Sequence, residues 1–167
     1  MTQHDYALKW LFYSLTALLI VVLQSLVFNH LSLWGVHPFL FPLIAALVTM
    51  WEGNQGLVFS MVFGLLVDLT APGPVPCFYT LSFFVVAAAT IFVVKRLIVR
   101  GFICAFASSL LSIVLCDLLQ MLFLSYSAGI AFFPALLLTA KELLLSVVCM
   151  PLLYFPFRWL HSRAQTE

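Results

Sequence analysis

The sequence predicts an all-α integral membrane protein built as a six-transmembrane-helix bundle, and three observations carry that expectation. Hydrophobic residues fill 65% of the chain and charged residues only 8%, whereas a soluble domain carries about 25% charged residues. A chain so poor in charge cannot cover a water-facing surface. The apolar residues come in long runs without two-residue alternation, which favours helices over an outer-membrane barrel. Lys and Arg gather at the ends of these runs, where membrane topology places them. At about 20 residues per crossing, the 167 residues hold roughly six spans and short connections, a single transmembrane domain over 1–167.

The first run, 10–28, follows Lys9 and is too long for the apolar region of a signal peptide. No small-residue cleavage site follows at Asn29-His30-Leu31, so it is expected to remain as the first helix. The segment 31–38, with Trp34 and His37, suits an interfacial loop. A short second span is expected at 39–51, and Glu52-Gly53-Asn54-Gln55-Gly56 reads as a turn of residues that tolerate positive φ. The third span, 55–69, is also short. It is followed by a Pro/Gly-rich stretch to Pro76 that no helix can traverse. Longer runs follow at 77–94 and 102–124. After a loop over 125–133, Pro134 suits the first turn of a sixth helix reaching 154.

Orientation follows from the cations. Lys9, the Lys95/Arg96/Arg100 cluster and the Arg158/Arg163 pair must share the cytoplasmic side, and the loops after the first, third and fifth spans contain no Lys or Arg. Six spans with both termini inside satisfy this. Merging the two short spans into one crossing would place Lys95 and Arg96 outside. A four-span protein whose short second and third segments form a re-entrant hairpin keeps the same parity, and charge does not separate the two.

Several function classes fall away. A net charge of +1 offers no field for nucleic acid. The cysteines Cys77, Cys104, Cys116 and Cys149 stand singly within apolar stretches, so they read as apolar fillers rather than a metal site, and no cofactor is expected. No HExxH, GxSxG or P-loop is present, and His4, His30, His37 and His161 all lie outside the expected spans, so the chain reads as no enzyme.

Two sets of residues remain as candidates. Gly56, Ser60, Gly64 and Asp68 are four apart and stack along one side of the third helix. Small residues there let another backbone approach closely, either a neighbouring helix of this chain or a partner's. On the fifth helix Ser109, Ser112, Cys116 and Gln120 form a similar seam, flanked by Asp117. Asp117, with Lys141 and Glu142 on the sixth helix, places charge inside the membrane, which is costly unless paired or used. At a rise of about 1.5 Å per residue, Asp117 and Lys141 fall at similar depth in the outer half of the bilayer, near Gln24. An intramembrane polar layer of Gln24, Asp117, Gln120, Lys141 and Glu142 is therefore expected. Asp117 is expected to pair with Lys141, leaving Glu142 for a Gln side chain, a proton or a partner.

The stretch from Gln24 to Asp68 resembles the MreD family of rod shape-determining bacterial membrane proteins. Its carriers are Gln24 late in the first helix, Pro38 and Pro42 opening a short second one, and the glycine turn at Gly53 to Gly56. Gly64-Leu65-Leu66-Val67-Asp68 and the Pro/Gly loop follow. Beyond Phe78 only hydropathy and the late polar residues extend the match. The resemblance implies an architecture similar to the S-components of energy-coupling-factor vitamin transporters. It also implies a non-enzymatic scaffold of the cell-elongation machinery in the bacterial cytoplasmic (inner) membrane, beside an MreC-like single-span protein and peptidoglycan synthases. The competing reading is a vitamin-binding S-component. It would need convergent polar groups on the outer loops, which here supply only Asn29, His30, Ser32, His37, Thr70, Ser125, Tyr126 and Ser127. A proton-coupled transporter would rest on the charged layer alone.

Overall fold

The computed structural model describes residues 3–28, 37–70, 73, 75–96, 101–128 and 132–166. Residues 31–36 of the expected interfacial loop, Trp34 among them, and Arg100 of the basic cluster lie outside them. The described chain is helical, with no strand among these residues. In order it comprises α1 (Gln3–Leu23), a π-helical turn (Gln24–Phe28), α2 (Phe41–Glu52), α3 (Asn54–Thr70), α4 (Phe78–Arg96), α5 (Phe102–Ala128) and α6 (Phe132–Thr166).

Four of these helices are long and apolar enough to cross a membrane: α1, α4, α5 and α6, through windows at Lys9–Leu26, Phe78–Arg96, Phe102–Phe123 and Thr139–Trp159. The two short helices fall where the sequence puts short spans. With 12 residues, α2 is roughly 18 Å long, well under a hydrocarbon core of about 30 Å.

α2 occupies the middle of the bundle, touching each of the other five helices. Every residue from Phe41 to Met50 is buried, as expected of a helix apolar all round. α1 lies at the periphery and shows why. Tyr13, Ala17, Ile20 and Gln24 recur at helical spacing and are buried, while Leu11, Leu15, Leu18, Val22 and Leu26 are exposed. An apolar exposed face of this kind is what lipid requires. α3 and α4 form the most extensive helix pair.

Lys9, Lys95, Arg96 and Arg158 gather at one end. Lys9 near the start of α1 bonds Glu52 at the end of α2. Arg96 at the end of α4 stacks on Phe92 with 5.2 Å to the ring centroid. Arg158, late in α6, lies over Tyr154 at 5.9 Å, and Tyr154 in turn meets Trp51 and Phe102. Cations at helix ends with aromatic neighbours suit a membrane boundary.

Four boundaries differ from the expectation. α1 begins at Gln3, so His4 is helical. The turn expected over Glu52 to Gly56 shrinks to Gly53, which reaches the required φ of +61° with open space around it. α5 runs to Ala128, taking in residues expected as loop. α6 runs on past Tyr154 to Thr166 with Pro151 and Pro156 inside it. Prolines inside membrane helices are tolerated when neighbours satisfy the freed carbonyls.

Candidate functional site

The small-residue face of α3 is spent within the molecule. A Cβ built on Gly56 would stand 2.5 Å from Thr49 Cα, and one on Gly64 would stand 2.7 Å from Thr80 Cα. Backbone meets backbone at both points, on α2 and on α4 respectively. Between them Ser60 is fully buried, its hydroxyl 2.8 Å from the Gly56 carbonyl and 3.1 Å from Thr49 Oγ1. Thr49 in turn donates to the Ala45 carbonyl at 2.6 Å.

Asp68 ends the same face and closes the next helix. Its Oδ1 accepts the Tyr79 backbone N–H at 2.9 Å, and its Oδ2 accepts the Thr80 N–H at 2.9 Å and the Thr80 hydroxyl at 2.7 Å. These are first-turn amides of α4, which have no partner inside their own helix. A carboxylate there also meets the positive end of the helix dipole. The local residue before the helix, Cys77, has φ +61° and a thiol poorly suited to capping. The cap therefore comes from a different helix.

Gln24 belongs to the π-helical turn and is 4% exposed. Its Nε2 donates to the Pro38 carbonyl at 2.6 Å, tying the first helix to the entry of α2. Its Oε1 is buried without a partner among the described residues. Next to Pro38, the Phe39 N–H donates to Ser146 Oγ of α6 at 3.0 Å. Ser146 lies one helical turn beyond Glu142.

The charged layer is arranged differently from the expectation. Asp117 is 6% exposed, and the carboxyl groups of Asp117 and Glu142 lie within electrostatic reach of each other. Glu142 also lies within reach of Tyr79 and Cys116. The similarity of the two depths agrees with the sequence reading: Asp117 is eleven residues, roughly 16 Å, from the end of α5, and Glu142 ten residues, roughly 15 Å, from the start of α6. The pairing does not. No ion pair joins Asp117 to Lys141, whereas one joins Lys9 to Glu52. Lys141 shares a face with Leu137, Leu144 and Val148, all exposed. The buried face of α6 runs instead through Ser146, Met150, Leu153 and Phe157. Lys141 is half-buried beside that outer apolar surface, where a long stem can keep its amine toward water.

Gln120 is half-buried, and no hydrogen bond links it to Asp117 or Glu142. Its seam on α5 is internal: Ser109, Ser112 and Cys116 are buried. Ser112 donates to the Ser109 carbonyl at 2.6 Å. The hydroxyls of Ser109 and of Ser82 on α4 are buried without a partner among the described residues.

Sequence reading missed the cluster at the basic end. Lys9 Nζ meets Glu52, which also accepts the Tyr13 hydroxyl at 3.1 Å. The signal was available: Glu52 is the sole acid between Asp5 and Asp68. Its place in a glycine turn disguised it as a surface residue.

Two lateral clefts open between helices. One, of about 440 Å³, lies between α5 and α6 and has Asp117 in its wall. The other, of about 390 Å³, is lined by Trp10 of α1 and by Val58, Phe59 and Val62 of α3. No family model, curated protein or solved structure matches this chain.

Proposed function

We propose that this protein is a non-enzymatic membrane scaffold of the bacterial cell-elongation machinery, as its resemblance to the MreD family implies. In that reading it sits in the cytoplasmic membrane with both termini inside and presents helix surfaces to a single-span MreC-like protein and to peptidoglycan synthases. The bundle is read as six spans, similar to the S-components of energy-coupling-factor transporters, with α2 and α3 as the short crossings.

The observation that carries the reading is that, among the described residues, clefts open between helices at the side of the bundle. The centre of the bundle is filled by α2, buried from Phe41 to Met50. The clefts of about 440 and 390 Å³ open sideways instead, between helices whose outer faces are apolar. Lateral clefts of this kind suit contact with other membrane helices. Asp68 and the Gln24 amide nitrogen, near the Phe78 end, are engaged in joining helices. A vitamin binder would direct such groups into a cavity. The gathering of Lys9, Lys95, Arg96 and Arg158 at one end of the bundle supports the orientation.

Purification from the native membrane in a gentle detergent, with identification of what accompanies the protein, tests this. Peptidoglycan synthases and a single-span protein are expected. An ATPase module or a bound vitamin would overturn the scaffold in favour of the transporter component.

A further inference from the structure

We propose that the cleft between α5 and α6 is a docking site for a partner's transmembrane helix that presents a lysine or arginine side chain to Asp117. The inference deepens the scaffold reading and rests on it for the source of that helix; the chemistry of the cleft stands on its own geometry.

Asp117 is 6% exposed, and it lines the cleft. Among the described residues it accepts no hydrogen bond and joins no ion pair. A carboxylate so placed lacks the partner that an intramembrane acid ordinarily finds. Glu142 lies within electrostatic reach, so a cation entering the cleft would face two acids rather than one. The nearby cation does not answer it. Lys141 stands among exposed Leu137, Leu144 and Val148, on the face away from the cleft.

The rest of the cleft is apolar. Leu118 and Leu122 of α5 and Leu136 and Ala140 of α6 form its walls, all four exposed to the surroundings of the bundle. On α5 it extends from Val114 to Leu122, roughly 12 Å or about two turns. Its occupant must therefore be apolar in body and cationic at one point.

Depth selects a helix over a lipid. Asp117 is six residues, roughly 9 Å, inside the Phe123 end of the apolar window of α5, below the headgroup level of the bilayer. Lipid amines are held at the headgroup level, whereas a helix carries a Lys or Arg side chain at a fixed depth.

The test uses the full-length protein in phosphatidylcholine nanodiscs, labelled at Cys77, which is exposed. The probe is a synthetic single-span leucine–alanine helix with one lysine roughly 9 Å inside the outer end of its apolar stretch, read by energy transfer. Its control carries leucine at that position. The lysine helix is expected to associate at least about tenfold more tightly than the control. Asp117→Asn, close in shape, removes that preference; Ala140→Phe fills the cleft while keeping the carboxylate and weakens both helices. Leu18→Phe on the exposed face of α1 changes nothing. Equal binding of the two helices, or a lysine preference that survives Asp117→Asn, overturns the proposal. So does Asp117-dependent binding of dodecylammonium without any binding of the helix, which would make the site one for amphiphilic amines. Asp117-dependent self-association would assign it to a second copy. Retained synthases in Asp117→Asn purified from cells would sink the docking site alone. A helix-binding protein that purifies without synthases would sink the scaffold alone.

Discussion

Asp68 and Thr80, twelve residues apart in the chain, are joined twice: one carboxylate oxygen accepts both the backbone N–H and the hydroxyl of Thr80, at 2.9 and 2.7 Å. The other oxygen takes the Tyr79 N–H at 2.9 Å. A single side chain on α3 thus anchors the start of α4, one turn past the point where Gly64 lets the two backbones touch. Close approach and cap depend on each other, since the carboxylate reaches the amides only while the helices stay near.

Asp68→Ala should therefore cost about 2 kcal/mol, the sum expected for losing a charged acceptor and a helix cap. Asp68→Asn should fall between, because its amide oxygen can accept while its NH2 confronts donors. Unfolding in graded sodium dodecyl sulfate, in a mild detergent background, measures both. An alanine variant as stable as the parent would show that water or lipid headgroups satisfy the α4 amides equally well.

Gly64→Leu is expected to cost about 3 kcal/mol or prevent folding, since even its Cβ would lie 2.7 Å from Thr80 Cα. Val58→Leu, at a position 60% exposed on the same helix, should change stability by no more than about 0.5 kcal/mol. Comparing folded yield and detergent unfolding of the two decides it. Equal tolerance would mean that α3 and α4 can part without penalty.

How much of this was legible in the sequence follows the physics of each feature. Helix order, the shortness of α2 and α3 and the packing role of Gly56 and Gly64 depend on hydropathy and side-chain size, which are local. Gln24 could be placed in a polar layer because burying an amide demands a partner, but the Pro38 carbonyl it finds leaves no mark in side-chain chemistry. The Asp68 cap was hidden because capping rules look at the residue before a helix, here Cys77, whereas the acceptor comes from another helix. The Asp117–Lys141 pairing failed for a related reason. Rise per residue fixes the height of a side chain, and the similarity of the two heights agrees with the structure. Azimuth depends on which face of α6 packs inward, and Lys141 differs from its neighbour Glu142 by about 100°.

Cys77 provides a reading of orientation without any engineered residue. It is exposed in the turn before α4, while Cys104 and Cys116 are buried. With the basic end inside, a membrane-impermeant maleimide added to intact cells should label the native protein, and Cys77→Ser should abolish that labelling. A cysteine introduced at Ser162, late in α6 and exposed, should react only after the cells are opened. The opposite pattern would invert the proposed topology.

Two double-mutant cycles separate the ion pair that exists from the one that does not. Lys9 and Glu52 bond directly, with side chains only 12% and 5% exposed, and Tyr13 adds a second donor to the same carboxylate. Removing either member strands a partly buried charge, so Lys9→Met and Glu52→Gln should each destabilise the protein. Their combination should cost less than the sum, with a coupling of about 1–3 kcal/mol. Reversing the pair as Lys9→Glu with Glu52→Lys should recover part of the loss but not all, because the Tyr13 hydroxyl then faces an ammonium instead of an acceptor. The matching cycle with Asp117→Asn and Lys141→Met should be additive to within about 0.5 kcal/mol. Lys141 lies on the outer apolar face of α6 and Asp117 in the cleft wall, so neither senses the loss of the other. Exchanging that second pair, Asp117→Lys with Lys141→Asp, should give no more than the sum of its two single changes, since the two positions do not meet. Coupling above about 1 kcal/mol in this cycle would mean that α6 turns in the membrane to bring Lys141 inward. The cleft would then already contain its cation.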